Sequence, residues 1–242
     1  MEHSVVTTAD RLIANSPVMR ANFIKNNGIS GDNFFVIPNG YDKDDFEGLN
    51  LTPPKNSVFT LVYTGALYGR RKPDIFFEAL SELIAEGKIN KNKIKVQLIG
   101  NYHKDKLQAQ IDGFGLKGVV EIVGYVPHDE CIKRQLSADS LLLIEGGGRG
   151  ADAFYTGKVF EYMNTNRPVL ALLPNGVAKD LVEKSKIGSV SDTESKDGAK
   201  KNLLAYYKQW EEGSLTFKGD RAVIEQYERK ILTEKLAEIL NK

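Results

Sequence analysis

The sequence predicts an α/β protein built on a doubly wound parallel sheet. Two observations carry this. Short apolar runs at 58–63, 94–99, 119–123, 140–144 and 168–173 alternate with amphipathic helical stretches, the pattern of strands covered on both faces. Several runs also end directly in glycine, at Gly65, Gly100 and Gly124, with Gly146 one residue after Glu145. In such sheets ligands sit beyond the carboxyl ends of the strands, and glycine lets the backbone approach them.

Taken in order, residues 10–14 read as a strand. Ser16-Pro17 starts a helix, because proline at the first helical position gives up only an N–H that would lack a partner anyway. Val18, Ala21, Phe23 and Ile24 form its apolar face and Gly28 stops it. Residues 33–37 are β-rich and end in the Pro38-Asn39-Gly40 turn. After Asp44-Asp45-Phe46, the polar, proline-bearing stretch 50–57 is the linker candidate. The strand at 58–63 leads to a helix with Ile75, Phe76, Ala79, Leu80 and Leu83 inward. A strand at 94–99, a helix at 107–115, a strand at 119–123 and a turn at 124–127 follow. A short helix at 130–137, with Ile132 and Leu136 buried, precedes the strand 140–144. Val159, Phe160 and Met163 then recur at helical spacing, before the strand 168–173, a helix at 177–184 and a short last strand at 187–190. The tail holds a helical segment, 202–210, stopped by Gly213. Past Gly219-Asp220 comes one long amphipathic stretch through Ile224, Tyr227, Ile231, Leu232, Leu236, Ile239 and Leu240.

Residues 145–163 are the centre of this plan: strand, glycine-rich loop, helix. Gly146, Gly147, Gly148 and Gly150 make a permissive backbone, and Thr156-Gly157-Lys158 falls where the helix begins. Free N–H groups and an ammonium would meet there, the chemistry of an anion site. It is not a Walker A loop, since Asp152 stands where that motif needs its first glycine and Val159 where it needs a hydroxyl. Nor is it a dinucleotide fingerprint, for want of a third glycine in register. The bland alternative is a flexible loop beside a solvated lysine.

Composition excludes several classes. A net charge of +1 argues against a nucleic-acid footprint over the whole surface. Cys131 is the only cysteine, so no internal disulfide forms and a reducing, cytoplasmic setting is expected. His3, His103 and His128 lie far apart, and no metal site is expected. No apolar run reaches the ~20 residues of a membrane span. Cys131 and His128 are read as a buried thiol and a surface imidazole rather than as a nucleophile pair.

Motifs spread along the chain resemble, in order, the carboxyl-terminal half of a retaining GT-B glycosyltransferase of the group 1, family-four type. They are residues 9–16 with 36–42 and Phe46; Val62-Tyr63-Thr64-Gly65 with Arg71-Lys72-Pro73 and Ala79-Leu80; Val119, Glu121, Gly124, Val126 and Pro127; and Lys158-Val-Phe-Glu-Tyr-Met163 with Arg167-Pro168-Val169. The resemblance implies a Rossmann-like fold without a cofactor, binding a UDP- or GDP-type sugar donor. Lys158 and Arg71 would hold the diphosphate and stabilise its charge, with Arg70 and Lys72 as neighbours. Gly65, Gly148, Gly150, Thr156 and Gly157 would line the site. Glu161 would accept hydrogen bonds from the ribose, and Tyr125 and Val126 would border the base.

The resemblance further implies a metal-independent transfer to a glycan or lipid-linked acceptor, in an enzyme that can lie against the inner membrane face. Residues 1–50 are expected to be the end of an acceptor domain plus linker, 51–215 the nucleotide-sugar domain, and 216–242 a final helix packing back on the first segment. This chain alone is then expected to bind nucleotide without transferring sugar. Removing residues 1 to 46 is expected to promote aggregation and to leave nucleotide affinity nearly unchanged. One departure stands out: many relatives carry a glutamate eight positions before Glu161, where this chain has Ala153. Two alternatives are a non-catalytic sugar-nucleotide module and a dehydrogenase-type domain, the latter disfavoured by the missing fingerprint.

Overall fold

The computed structural model describes residues 2–241. After a short helix, α1 (Glu2–Thr8), strand β1 (Leu12–Ala14) and strand β2 (Phe34–Val36) pair in parallel around helix α2 (Pro17–Asn27). Ser16 caps α2 by accepting from the Met19 N–H, and Gly28 closes it at φ +64 in the left-handed region. The expected apolar face of α2 is weak: none of its residues is fully buried and Ala21 faces solvent.

The main unit runs β3 (Phe59–Thr64), α3 (Asp74–Ala85), β4 (Ile94–Ile99), α4 (Lys104–Gly113), β5 (Val120–Gly124), α5 (His128–Leu136), β6 (Ser140–Ile144), α6 (Gly157–Met163), β7 (Val169–Leu172), α7 (Val177–Ser185), β8 (Gly188–Ser191) and α8 (Lys196–Glu211). Its six strands are all parallel, in the order β5-β4-β3-β6-β7-β8. The order reverses between β3 and β6, and the crevice beyond their carboxyl ends is where such a sheet binds ligands.

Side-chain alternation builds the two halves of the core. Leu61, Tyr63, Leu142, Ile144, Leu170 and Leu172 face α3, α4 and α8, whereas Val62, Leu141, Leu143, Val169 and Ala171 face α6 and α7. Each leucine, isoleucine or valine among them, fully buried, contributes roughly 1.5–3 kcal/mol. Phe59 also packs on Tyr207 and Trp210, with ring centroids 6.0 and 5.8 Å away.

Residues 50–57 contain no regular element, as a linker should not, but they are tethered. Arg167, fully buried, donates to the carbonyls of Leu51 (2.9 Å), Thr52 (2.9 Å), Thr165 (3.1 Å) and Leu136 (3.1 Å).

The tail departs from the expected single stretch. It breaks into α9 (Arg221–Ile224), a 3-10 turn (Glu225–Tyr227) and α10 (Arg229–Leu240), with Glu228 extended at ψ 131. The cause is Tyr41: its N–H donates to the Tyr227 carbonyl and its carbonyl accepts from the Arg229 N–H. A continuous helix would need those same groups for itself. Ile224 is buried with Tyr41 in the α6–α7 half of the core. Along α10, Leu232 is buried, Ile231, Leu236 and Ile239 are half-buried, and Leu240 is exposed. Among the described residues no helix is long and apolar enough to cross a membrane.

Candidate functional site

Three segments converge at the switch point. Gly65 directly follows β3, Glu145 directly follows β6 and leads into the glycine loop, and α6 begins at Gly157. Lys158, in the first turn of α6, runs across Gly65, whose φ of +106 only glycine adopts readily. A Cβ on Gly65 would collide with the Lys158 side chain. The ammonium lies 5.1 Å from the centre of the Tyr63 ring and 3.8 Å from Glu145 Oε1. Among the described residues it has no closer polar partner. Burial pushes Lys158 down to about 8; Glu145 opposes that and Arg71 adds to it.

Arg71 Nε pairs with Glu145 Oε2, and its guanidinium stacks 5.3 Å over Tyr68. Burial disfavours the Arg71 charge, but the Glu145 bond and charge outweigh it and the pKa is raised. Glu145 therefore stands between the two cations, and its Oε1 is buried without a hydrogen-bond partner.

The structure separates the basic run 70–72. Only Arg71 joins Lys158. Arg70 folds onto the glycine loop, donating to the carbonyls of Gly147 (3.1 Å) and Arg149 (3.4 Å). A side chain at Gly148 (φ +111) would strike its guanidinium, and Gly150 also has positive φ, at +78. Lys72 lines a groove of 340 Å³ with Tyr102 and Lys106, which Arg71 also borders, and a second groove with Arg70. Thr156 is buried at the entry to α6, but its side chain makes no capping bond. Gly157 opens on free space.

Glu161 lies one turn further along α6. Gln135 of α5 donates to its Oε1, and His128 Nδ1 stands 3.9 Å from its Oε2. The other imidazole nitrogen of His128 meets Asp45 at 3.2 Å. Residues 40–42, Asp45 and Phe46 enclose a cleft of 240 Å³ with His128, Gly157, Glu161 and Arg229. On the turn after β5, Tyr125 is 73% exposed and Val126 half-buried. Cys131 is half-buried, its thiol pushed up to about 11 by burial and by Glu161; it is no thiolate. Ala153 is buried, and its carbonyl accepts from the Ser16 hydroxyl at 2.5 Å. Among the described residues no three His, Cys, Asp or Glu side chains gather as metal ligands.

Sequence reasoning passed over Glu145 and Gln135 as site residues. Their partners lie 74 and 26 residues away in the chain, and only the strand order brings them together.

The fold is shared with many solved structures, among them ones named as glycosyltransferases. Anabaena HepE, in a crystal structure with UDP and glucose, superposes at a TM-score of 0.77 over 98% of this chain and 64% of its own, at 19% identity. Staphylococcus aureus TarM, crystallised with UDP among other ligands, gives 0.68 over 99% of this chain and 45% of its own, at 17% identity. Among curated sequences, the D-inositol 3-phosphate glycosyltransferase of Kineococcus radiotolerans is 26% identical over 152 residues, 57% of this chain and 35% of that protein. That of Geodermatophilus obscurus is 23% identical over 155, or 59% and 34%. The chain thus spans about a third of the length of these curated relatives. The family model described as "Glycosyl transferases group 1" matches residues 58–209, from β3 to near the end of α8. By the extent of that match, this chain belongs to the group 1 glycosyl transferases.

Proposed function

We propose that this chain forms the donor wall of a glycosyltransferase, binding a nucleoside diphosphate sugar with Lys158 and Arg71 on the diphosphate and Glu161 on the ribose. The observation that carries this is Lys158: a largely buried ammonium at the switch point, without a hydrogen-bond partner among the described residues, beside a second cation. UDP in the HepE and TarM structures supports a uridine donor, and the exposed Tyr125 offers a ring beside which a base can lie.

The chemistry follows from the charges. Breaking the sugar–phosphate bond leaves negative charge on the diphosphate. Two fixed cations already placed there stabilise it without reorganising and without a metal. With a pKa of about 8, Lys158 is mostly charged at pH 7. Glu145 stands between both cations, and the diphosphate would compete with it as their partner. We read the transfer as retaining and directed to a glycan or lipid-linked acceptor; the curated relatives named for D-inositol 3-phosphate favour a hydroxylated, anionic one. A non-catalytic nucleotide-sugar module is the second reading, favoured by Ala153. Binding without turnover in the full-length protein would support it.

Lys158→Ala tests the diphosphate assignment. A lost charge-assisted hydrogen bond costs about 1.5–3 kcal/mol, so calorimetry should find UDP or GDP weakened roughly 10- to 150-fold and the bare nucleoside hardly at all. Equal losses for diphosphate and nucleoside would refute it. Transfer in excess EDTA checks metal independence.

A further inference from the structure

We propose that Gln135 is a positioning residue for Glu161, holding one carboxylate oxygen so that the other is presented to the ribose hydroxyls; this rests on the ribose reading of Glu161.

Gln135 is fully buried, an uncommon place for a primary amide. Its Nε2 donates to Glu161 Oε1 and reaches Cys131 Sγ at 3.6 Å, so both N–H groups are engaged. Its own oxygen, equally buried, has no partner. The opposite amide orientation would aim that oxygen at a carboxylate and be repelled, so the network fixes the assignment. A buried amide that leaves its acceptor empty to keep its donor on one glutamate is poorly explained by core packing, where both ends would be paired or absent.

The other oxygen is left open. Glu161 Oε2 has His128 at 3.9 Å, beyond hydrogen-bond reach, and the imidazole is turned toward Asp45 instead. His128 and Gln135 are seven residues apart, so they share one face of α5, one beside each oxygen. The helix is itself held fast. Phe46 packs on its Ile132 and Leu136, and Arg167 bonds the Leu136 carbonyl. A carboxylate on a mobile side chain would give up rotamer entropy on meeting a diol; one already held by Gln135 gives up less.

The test is the ratio of affinities for UDP and 2′-deoxy-UDP in wild type, Glu161→Gln, Gln135→Met and Gln135→Glu, with thermal melts alongside. Methionine keeps length and volume and removes the donor; glutamate keeps the shape and replaces donor with acceptor. Wild type should prefer UDP tenfold or more. Both Gln135 variants should bring the preference within about threefold by weakening UDP alone, while 2′-deoxy-UDP affinity stays put. A generally loosened fold would lower both affinities together. If Glu161→Gln leaves the preference intact, the ribose reading itself falls. If Glu161→Gln abolishes it while folded Gln135→Met or Gln135→Glu retains it, or if either Gln135 variant weakens both ligands equally, the positioning role is overturned.

Discussion

Lys158 should cost the protein stability, and replacing it should show this. Its side chain is 14% exposed, and burial, partly offset by Glu145, lowers its pKa from 10.5 to about 8. At 1.36 kcal/mol for each pH unit between those values, charging Lys158 in the folded state costs about 3 kcal/mol. Below pH 8 the lysine is charged in both states and the whole cost is present. Between pH 8 and 10.5 the folded state has released the proton and the unfolded state has not, so stability rises with pH. Above 10.5 the cost is gone. Lys158→Met keeps an unbranched chain against the Tyr63 ring and removes the charge, but leaves Glu145 with Arg71 alone. The net gain at pH 7 should therefore be about 1–3 kcal/mol, a rise of several degrees in Tm for a chain of this size. Urea unfolding of both proteins at pH 7, 9 and 10.5 is the assay. The variant should be the more stable at pH 7, its advantage shrinking as pH rises, while it loses diphosphate affinity. A variant less stable at pH 7, or a difference that does not change with pH, would refute the reasoning.

Other outcomes follow from the same geometry. Gly65→Ala should weaken UDP by tenfold or more in titration with smaller loss of uridine affinity, because the new methyl displaces Lys158 and strains a backbone at φ +106. Arg167→Leu should cost about 3–5 kcal/mol in denaturant unfolding, since it removes the donors from the buried Leu136 carbonyl and from the part-buried Leu51 and Thr52 carbonyls; residues 50–57 should then become protease-sensitive. Deleting residues 1 to 46 should lower UDP affinity as well as solubility, contrary to the sequence-based expectation that affinity survives. That segment supplies Asp45 to His128 and walls the Glu161 cleft; unchanged affinity by calorimetry would count against that cleft as the ribose site.

Much of the fold was legible because its signals are local. The alternation of apolar runs located the strands, Ser16-Pro17 and Gly28 bounded α2, and Thr156-Gly157-Lys158 marked the start of α6. What failed was nonlocal. The helical spacing from Ile224 to Leu240 is real, but Tyr41, from the far end of the chain, takes up the backbone groups at Tyr227 and Arg229 and splits it. The resemblance singled out Arg71, but Arg70 and Lys72 could not be told apart in sequence; the position of the glycine loop takes up Arg70 and leaves Lys72 lining grooves beside both arginines. Glu145 sat in the stretch singled out from the start, yet its role depends on β3 lying beside β6.

Two cations with little exposure in this chain differ in how their charge is satisfied. Arg167 is fully buried and spends its N–H groups on backbone carbonyls that would otherwise lack partners. Burial lowers its pKa to about 10, with Asp139 opposing. It is a satisfied group, and it joins the 50–57 segment to the sheet. Lys158 is nearly as buried, at the end of the same helix–strand unit, but has only a ring face, a carboxylate at 3.8 Å and a second cation nearby. Packing alone would favour an apolar side chain there, since an incompletely paired ammonium costs stability. A fold keeps such a group where something else supplies the missing partner. On the proposed reading, an anion with several oxygens, arriving beside Gly157 where a Cβ would meet nothing, is the partner Lys158 lacks and would share Arg71 with Glu145.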